Sequence, residues 1–309
     1  MKIKDFETDI DAVITSFNQG TMILEAVESL CVQTLLPQRI IIVDDGSTDE
    51  GSIQILKDIE KKSDLQVPVL IHYQKNRGVA AARNAGIQMA QTSMVLVLDG
   101  DDKLQPEYLQ YVSQMLCNDP SMVAASSWMH TFGILDSIIC PSGGKINSFL
   151  SRNCCPATHI LRRNIFDQCG GYDESMRSGF EDWDFFLSML EASPGTSIGI
   201  VDKPLIQYRT SAASSNVKSM SKRLELMRYI IEKHSSSYHA YLVDALLGVE
   251  ASSNLRLYHW ENEVTYSIAN DQGLSEVSNS FLKSPSYGDG GMASAVRIAS
   301  YLKDTKQKG

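Results

Sequence analysis

Short apolar runs recur along the first half of the chain, and each is followed by a stretch with helical spacing. Ala12-Val13-Ile14-Thr15 reads as a strand, and Thr21–Gln33 as a helix with Ile23, Leu24, Val27 and Leu30 on one face and Thr21 as a candidate cap. Arg39–Val43 is a nearly continuous apolar strand that runs into Asp44-Asp45-Gly46-Ser47, and Asp49–Lys61 is helical. Val69–Ile71 is a third strand, Gly78–Gln91 an Ala-rich helix, and Met94–Leu98 a fourth strand ending on Asp99. Pro106 suits the first turn of a helix reaching Cys117, and Val123-Ala124-Ala125 starts a fifth strand.

Apolar strands that alternate with helices predict an α/β fold with a mainly parallel sheet covered on both faces. In such sheets ligands bind beyond the carboxyl ends of the strands. The polar residues expected there are Thr15, Asp44, Asp45, Asp99, Asp101 and Asp102.

The second half is less regular. Thr131–Lys145 reads as a hairpin or loop, Thr158–Leu161 as a strand, Gly170–Asp173 as a turn, Glu181–Glu191 as a helix and Leu205–Arg209 as a last strand. Beyond Ser214 helical signals dominate, over Leu224–Lys233, Tyr238–Asn254 and Met292–Lys303, and Ser- and Gly-rich Gly273–Gly291 reads as a loop. The expected organisation is a domain over residues 1–213 and a helical C-terminal region over 214–309.

Composition narrows the function classes. The 309 residues are 43% hydrophobic and 21% charged, as in an ordinary globular protein. A net charge of -9 excludes a broad basic surface, so no nucleic-acid partner is expected. No run approaches the roughly 18 consecutive apolar residues of a membrane span. The charged segment Met1–Asp9 has no apolar signal-peptide core. The six cysteines lack CxxC spacing, which fits reduced thiols and a cytoplasmic location; vicinal Cys154-Cys155 reads as two small semi-buried residues rather than a redox pair.

Four segments carry candidate chemistry, each with a plainer reading beside it. Asp99-Gly100-Asp101-Asp102 puts three carboxylates within four residues at a strand end. They repel one another unless a cation or a basic group lies between them, and hard divalent ions take oxygen ligands together with substrate phosphates. The plainer reading is a solvated Asp-rich turn. In Asp44–Asp49 a carboxylate can accept the imide N–H of a uracil or a ribose hydroxyl, or the segment is a helix-capping turn. In Thr15-Ser16-Phe17-Asn18 the phenyl ring can stack on a base, or it is core. In Glu181-Asp182-Trp183-Asp184 a carboxylate can serve as general base, or the acids complement a helix dipole.

Taken in chain order, with Asn76–Gly86 (Asn-Arg-Gly-Val-Ala-Ala-Ala-Arg-Asn-Ala-Gly) between Asp44–Asp49 and Asp99–Asp102, the segments resemble glycosyltransferase family 2. The resemblance spans about Asp11–Arg209. It implies a GT-A fold (Rossmann-like, with flanking helices) and an inverting transfer of a sugar from a nucleotide diphosphate, a UDP-sugar foremost, to an acceptor hydroxyl. It implies that Thr15, Phe17 and Asp45 hold the nucleoside and that Asp99 lies by the ribose and metal. Asp101 would ligate Mn²⁺ or Mg²⁺, and Arg83 would line the donor pocket. Asp182 would act as base, with Glu181 orienting the acceptor. A saccharide or lipid-linked acceptor, in bacterial polysaccharide assembly, is implied by resemblance only. For the helical tail, a homodimer contact, a peripheral contact with the inner membrane face and a share in the acceptor site all stay open.

The chain departs from the family pattern at one place. Tyr208-Arg209 is followed by Thr210-Ser211-Ala212-Ala213-Ser214-Ser215, without the histidine that many relatives carry there. If that histidine ligates metal in relatives, water or a hydroxyl replaces it here. Two rival readings are a metal-dependent nucleotidyltransferase, which would need a Gly- and Lys/Arg-rich loop where Ser16–Gly20 stands, and a non-catalytic nucleotide-sugar-binding protein. No GxGxxG follows the first strand, which argues against a nicotinamide dehydrogenase.

Overall fold

The computed structural model describes residues 9–62, 65–211, 219–270, 272–286 and 288–306. It contains two compact units, Met1–Leu242 and Val243–Gly309. The expected boundary at 213/214 falls outside the described residues, and so does most of the segment after Tyr208-Arg209 where a histidine is lacking.

The first unit is built on a nine-stranded sheet in the order β3-β2-β1-β4-β8-β6-β9-β5, with β7 paired to β6. Four strands form its parallel half: β1 (Ile10–Ser16), β2 (Arg39–Asp44), β3 (Val69–Tyr73) and β4 (Met94–Asp99). Every residue of β1 is buried, as expected for a central parallel strand with helices on both faces. The helices between these strands are α1 (Met22–Cys31), α2 (Glu50–Lys61) and α3 (Val79–Met89). Asp49 caps α2, accepting from the Ser52 amide at 2.7 Å, so the capping reading holds for this acid.

The other half of the sheet is mixed rather than parallel. The two-residue β5 (Lys103–Leu104) follows β4, and α4 (Tyr108–Asn118) leads to β6 (Met122–Gly133). β6 forms a hairpin with β7 (Ser137–Ile139), as the sequence allowed. β8 (His159–Arg162) runs antiparallel to both β4 and β6, while the long β9 (Ser197–Thr210) runs parallel to β6. Three short helical elements complete this part: α5 (Ile146–Phe149), α6 (Arg163–Cys169) and α7 (Glu181–Ala192). The first two had no clear periodic signal, because neither is long enough to show one.

Two further helices, Arg223–Lys233 and Ser235–Ala240, belong to the same unit. They lock onto α7 through a buried polar cluster. Asp184, fully buried, accepts from Lys233 at 2.8 Å and pairs with His234 at 3.0 Å; His234 also pairs with Glu191 at 2.8 Å.

The second unit is helical. Its long helix Leu242–Ala269 starts after a break at Tyr241, where a single helix over Tyr238–Asn254 was expected. Gly273–Gly291 is not all loop, since Glu276–Lys283 is a helix capped by Ser275, whose hydroxyl accepts from the Ser278 amide at 3.1 Å. The Ser-rich composition hid that capping pattern. Trp260 packs edge-on against Phe281 at 4.7 Å, and Glu261 accepts from Arg297 of the last helix, Gly291–Lys306. Among the described residues no helix is long and apolar enough to cross a membrane.

Candidate active site

The parallel strands deliver their polar ends side by side. Thr15 at the end of β1 is in register with Val43 of β2 and with Asp99 of β4, and its hydroxyl lies 3.2 Å from Asp99 Oδ1. Tight backbone approach is what puts them there. A Cβ at Gly100 would come within 2.7 Å of the Thr15 carbonyl oxygen, so only glycine lets the acidic turn lie against β1. Gly46 adopts φ +75°, and a Cβ there would meet the Asn76 amide nitrogen at 2.7 Å.

The loop after β1 is tied to the loop after β2. Asn18, with φ 53°, accepts from the amides of Thr48 and Asp49 at 2.8 and 2.9 Å. Phe17 is left half in solvent, at 45% exposure, so its ring has open surface rather than core around it. Asp45 is buried, and its carboxylate accepts from Gln74 Nε2, the Arg77 amide and the Gly78 amide at 2.7–2.8 Å. An ionised carboxylate has about four accepting positions, so Asp45 both shapes the entry to α3 and keeps one position free.

Arg83 on α3 joins the two halves of the site. Its side chain is 2% exposed. Nη2 donates to Asp99 Oδ1 at 2.8 Å and Oδ2 at 3.1 Å, while Nη1 donates to Glu181 Oε1 at 2.8 Å. Asn84, next along α3, accepts from the Tyr172 amide and donates to the Tyr172 carbonyl, which pins the Gly170-Gly171 turn beneath the same site. Glu181 and Asp182 form the first turn of α7, whose preceding residue, Phe180, has φ 66°.

Arg209 of β9 holds the acidic turn from the other side. Its amide donates to Asp102 Oδ1 at 2.8 Å, and its Nε donates to the Asp101 carbonyl at 2.9 Å. Its Nη2 reaches Glu25 of α1 at 3.0 Å, and its guanidinium lies over the Phe132 ring at 4.5 Å. Nothing in the sequence marked Arg209 for this task, because its partners are far away along the chain.

The electrostatics follow from this crowding. Burial and the charges of Asp101 and Asp99 push Asp102 well above the ordinary carboxylate range, and burial and Asp99 raise Asp101. The Tyr208 hydroxyl is raised by burial and then by Asp102, Asp99, Asp101 and Asp182, so all four acids act on one neighbourhood. Asp182 is pushed up to about 7, first by burial and then by Glu181, with Arg83 opposing and Asp99 adding to the rise. The structure therefore brings together Thr15, Arg83, Asp99, Asp101, Glu181 and Asp182, with Phe17 and Asp45 at the neighbouring strand ends. The other acid of the α7 motif, Asp184, faces the Lys233–His234 cluster instead.

No three acidic, histidine or cysteine side chains among the described residues form a preformed metal cage. The donor set nonetheless suits a hard divalent cation. Among those residues the Asp101 carboxylate takes no side-chain donor, and burial, then the charge of Asp99, raises its proton affinity, with Arg209 opposing them. A cation held by a single carboxylate and completed by phosphate oxygens needs no cage. A separate cavity of about 560 Å³ opens at the far end of α7, among Lys145, Leu190, Glu191, Lys233, His234 and Tyr241, and none of the clustered acids lines it.

The family model for glycosyl transferase family 2 matches residues 11–170. The chain belongs to this family. This glycosyltransferase is 25% identical over 236 residues to the uncharacterized glycosyltransferase YwdF of Bacillus subtilis (strain 168), covering 73% of this chain and 84% of that one. It is 28% identical over 200 residues to the succinoglycan biosynthesis protein ExoU of Rhizobium meliloti (strain 1021), covering 59% and 57%. Some relatives are longer, and the chain spans only 42% of uncharacterized glycosyltransferases from Rickettsia conorii and Rickettsia felis. Among solved structures, S. aureus TarS 1–349 in complex with UDP-GlcNAc superposes with a TM-score of 0.60 at 15% identity, covering 97% of this chain and 92% of that one. The fold of this glycosyltransferase is thus the Rossmann-like GT-A arrangement with C-terminal helices.

Proposed function

We propose that this glycosyltransferase inverts the anomeric centre as it moves a sugar from a nucleotide diphosphate, a UDP-sugar foremost, to an acceptor hydroxyl. The observation that carries the reading is the Arg83 bridge between Asp99 and Glu181, which fixes the neighbouring Asp182 beside the acidic turn. Residues 1–213 carry the chemistry in this reading.

Phe17, Thr15 and Asp45 bind the nucleoside: the exposed ring stacks on the base, and the free accepting position of Asp45 takes a base N–H. Asp99 and Arg83 line the ribose and diphosphate side. Asp101 would hold Mn²⁺ or Mg²⁺ together with the diphosphate, and the cation would supply positive charge against the leaving group. Asp182 takes the proton of the acceptor hydroxyl as its oxygen attacks the anomeric carbon. The bond to the diphosphate breaks with its electron pair on the departing phosphate oxygen. Attack from the opposite face inverts the configuration, and no second nucleophilic carboxylate is needed. Glu181, held by Arg83, orients the acceptor.

The acceptor in this reading is a saccharide or lipid-linked saccharide of polysaccharide or glycoconjugate synthesis, which the similarity to ExoU supports. The test is UDP or GDP release from a panel of UDP- and GDP-sugars with Mn²⁺, followed by the anomeric configuration of the product by NMR. Release from at least one donor with inverted product supports the reading, and a retained configuration overturns it.

A further inference from the structure

Asp182 has one partner that no motif contains. Asn153 lies in the loop between α5 and β8, and its Nδ2 donates to Asp182 Oδ2 at 3.0 Å. The other end of the same amide accepts from the Cys155 backbone N–H at 3.1 Å. A backbone N–H can only donate, so it selects the amide orientation that turns the Asn153 NH₂ group toward the carboxylate. The second oxygen, Asp182 Oδ1, accepts from the Trp183 amide at 2.8 Å. Each carboxylate oxygen thus holds one donor and retains accepting capacity for a substrate hydroxyl.

We infer that Asn153 is the positioning residue of the base: its amide, oriented by Cys155, fixes the rotation of the Asp182 carboxylate and favours its charged form. This rests on the assignment of Asp182 as the base. The surroundings oppose the charged form that such a donor favours. Glu181 and Asp99 face Asp182 with negative charge, Arg83 opposes them, and the Cys155 thiol and the Tyr172 and Tyr208 hydroxyls lie near it with raised proton affinities. Burial and like charge push Asp182 toward the neutral acid, which cannot accept a proton. A hydrogen bond donated to the charged form acts in the opposite direction. Arg83 and the Trp183 amide oppose burial and like charge, and the Asn153 amide is a further donor to the charged form, on the other carboxylate oxygen.

The support is also local and rigid. Cys154 and Cys155, next in sequence, are both buried, and the Cys155 thiol donates to the Pro156 carbonyl at 3.5 Å. Trp183, adjacent to the base, is anchored by its indole N–H to the Phe149 carbonyl at 2.7 Å, at the end of α5. The segment from α5 to Cys155 therefore grips the first turn of α7 at two successive residues. The vicinal cysteines serve here as packing that carries an asparagine.

The experiment is a pH titration of the Asp182 carboxyl carbon by NMR in the full chain. Its signal is assigned by its loss in Asp182→Asn. Asn153→Ser keeps an acceptor for the Cys155 N–H but is too short to reach Asp182. Its midpoint should rise by on the order of one pH unit, the expected size for losing a hydrogen bond to a charged group. Asn153→Asp keeps the length and replaces the donor with a charge, so it should raise the midpoint further. Equal midpoints in the parent and in both variants would overturn the inference. This titration needs no turnover. Failure of Asp182 as the base would show separately, as undiminished UDP release from UDP-N-acetylglucosamine, UDP-glucose or UDP-galactose by Asp182→Asn.

Discussion

Arg83 Nη1 lies 2.8 Å from Glu181 Oε1, a pairing of residues 98 positions apart that closes the site. The same guanidinium holds Asp99, so one buried cation sets the spacing between the acidic turn and the start of α7. Arg83→Met should leave Asp99 and Glu181 without their counter-charge and destabilise the first unit by roughly 3–5 kcal/mol. Arg83→Lys should retain more stability yet lose most of the activity, because an ammonium lacks the fork that serves two carboxylates at once. Thermal melts and UDP release measured on both variants separate the two effects.

Asp101→Ala should abolish the gain in nucleotide affinity that Mn²⁺ confers. Calorimetry of UDP binding with and without Mn²⁺ checks this. A gain equal to that of the parent would move the cation to another carboxylate.

The rate of donor turnover should rise with pH through about 7. Burial and Glu181 raise the folded Asp182 carboxyl to about that value, and only the deprotonated form takes a proton. A solvated aspartate would place this rise near pH 4. A pH–rate profile of UDP release between pH 4 and 9 distinguishes the two.

His234 should contribute to stability in a pH-dependent way. Its pairing with Asp184 and Glu191 outweighs burial and raises it to about 9. The charged form is thus favoured in the folded state. The contribution is complete below the unfolded value of 6.5 and is lost as pH rises through about 9. His234→Gln should cost on the order of 3 kcal/mol more at pH 6 than at pH 10, read from urea denaturation at both.

The parallel half of the sheet was legible because each of its strands is an apolar run ending in polar residues. The candidate site was legible where it sits on those ends, at Thr15, Asp45, Asp99 and Asp101, and at the start of α7. The rest lacked local signal. β6 carries Ser126, Ser127, His130 and Thr131, so its 12-residue length does not show as hydrophobic patterning. Asn153 is a single asparagine in a loop, and it meets Asp182 only because α7 passes beside it. Asp184 stands two residues from Asp182 in one motif, and only the family resemblance favoured Asp182 as the base. What separates them is His234 and Lys233, which reach Asp184 from 50 and 49 positions away.

The central claim is that Asp182 acts as the base beside a donor held by the strand ends. The direct measurement is Asp182→Asn, assayed for UDP release from the UDP-sugars that the parent turns over and for UDP affinity by calorimetry in Mn²⁺. The account predicts turnover lower by about 10²–10⁴-fold with UDP affinity unchanged. Turnover equal to the parent's, or UDP affinity that falls in step with it, would contradict the account.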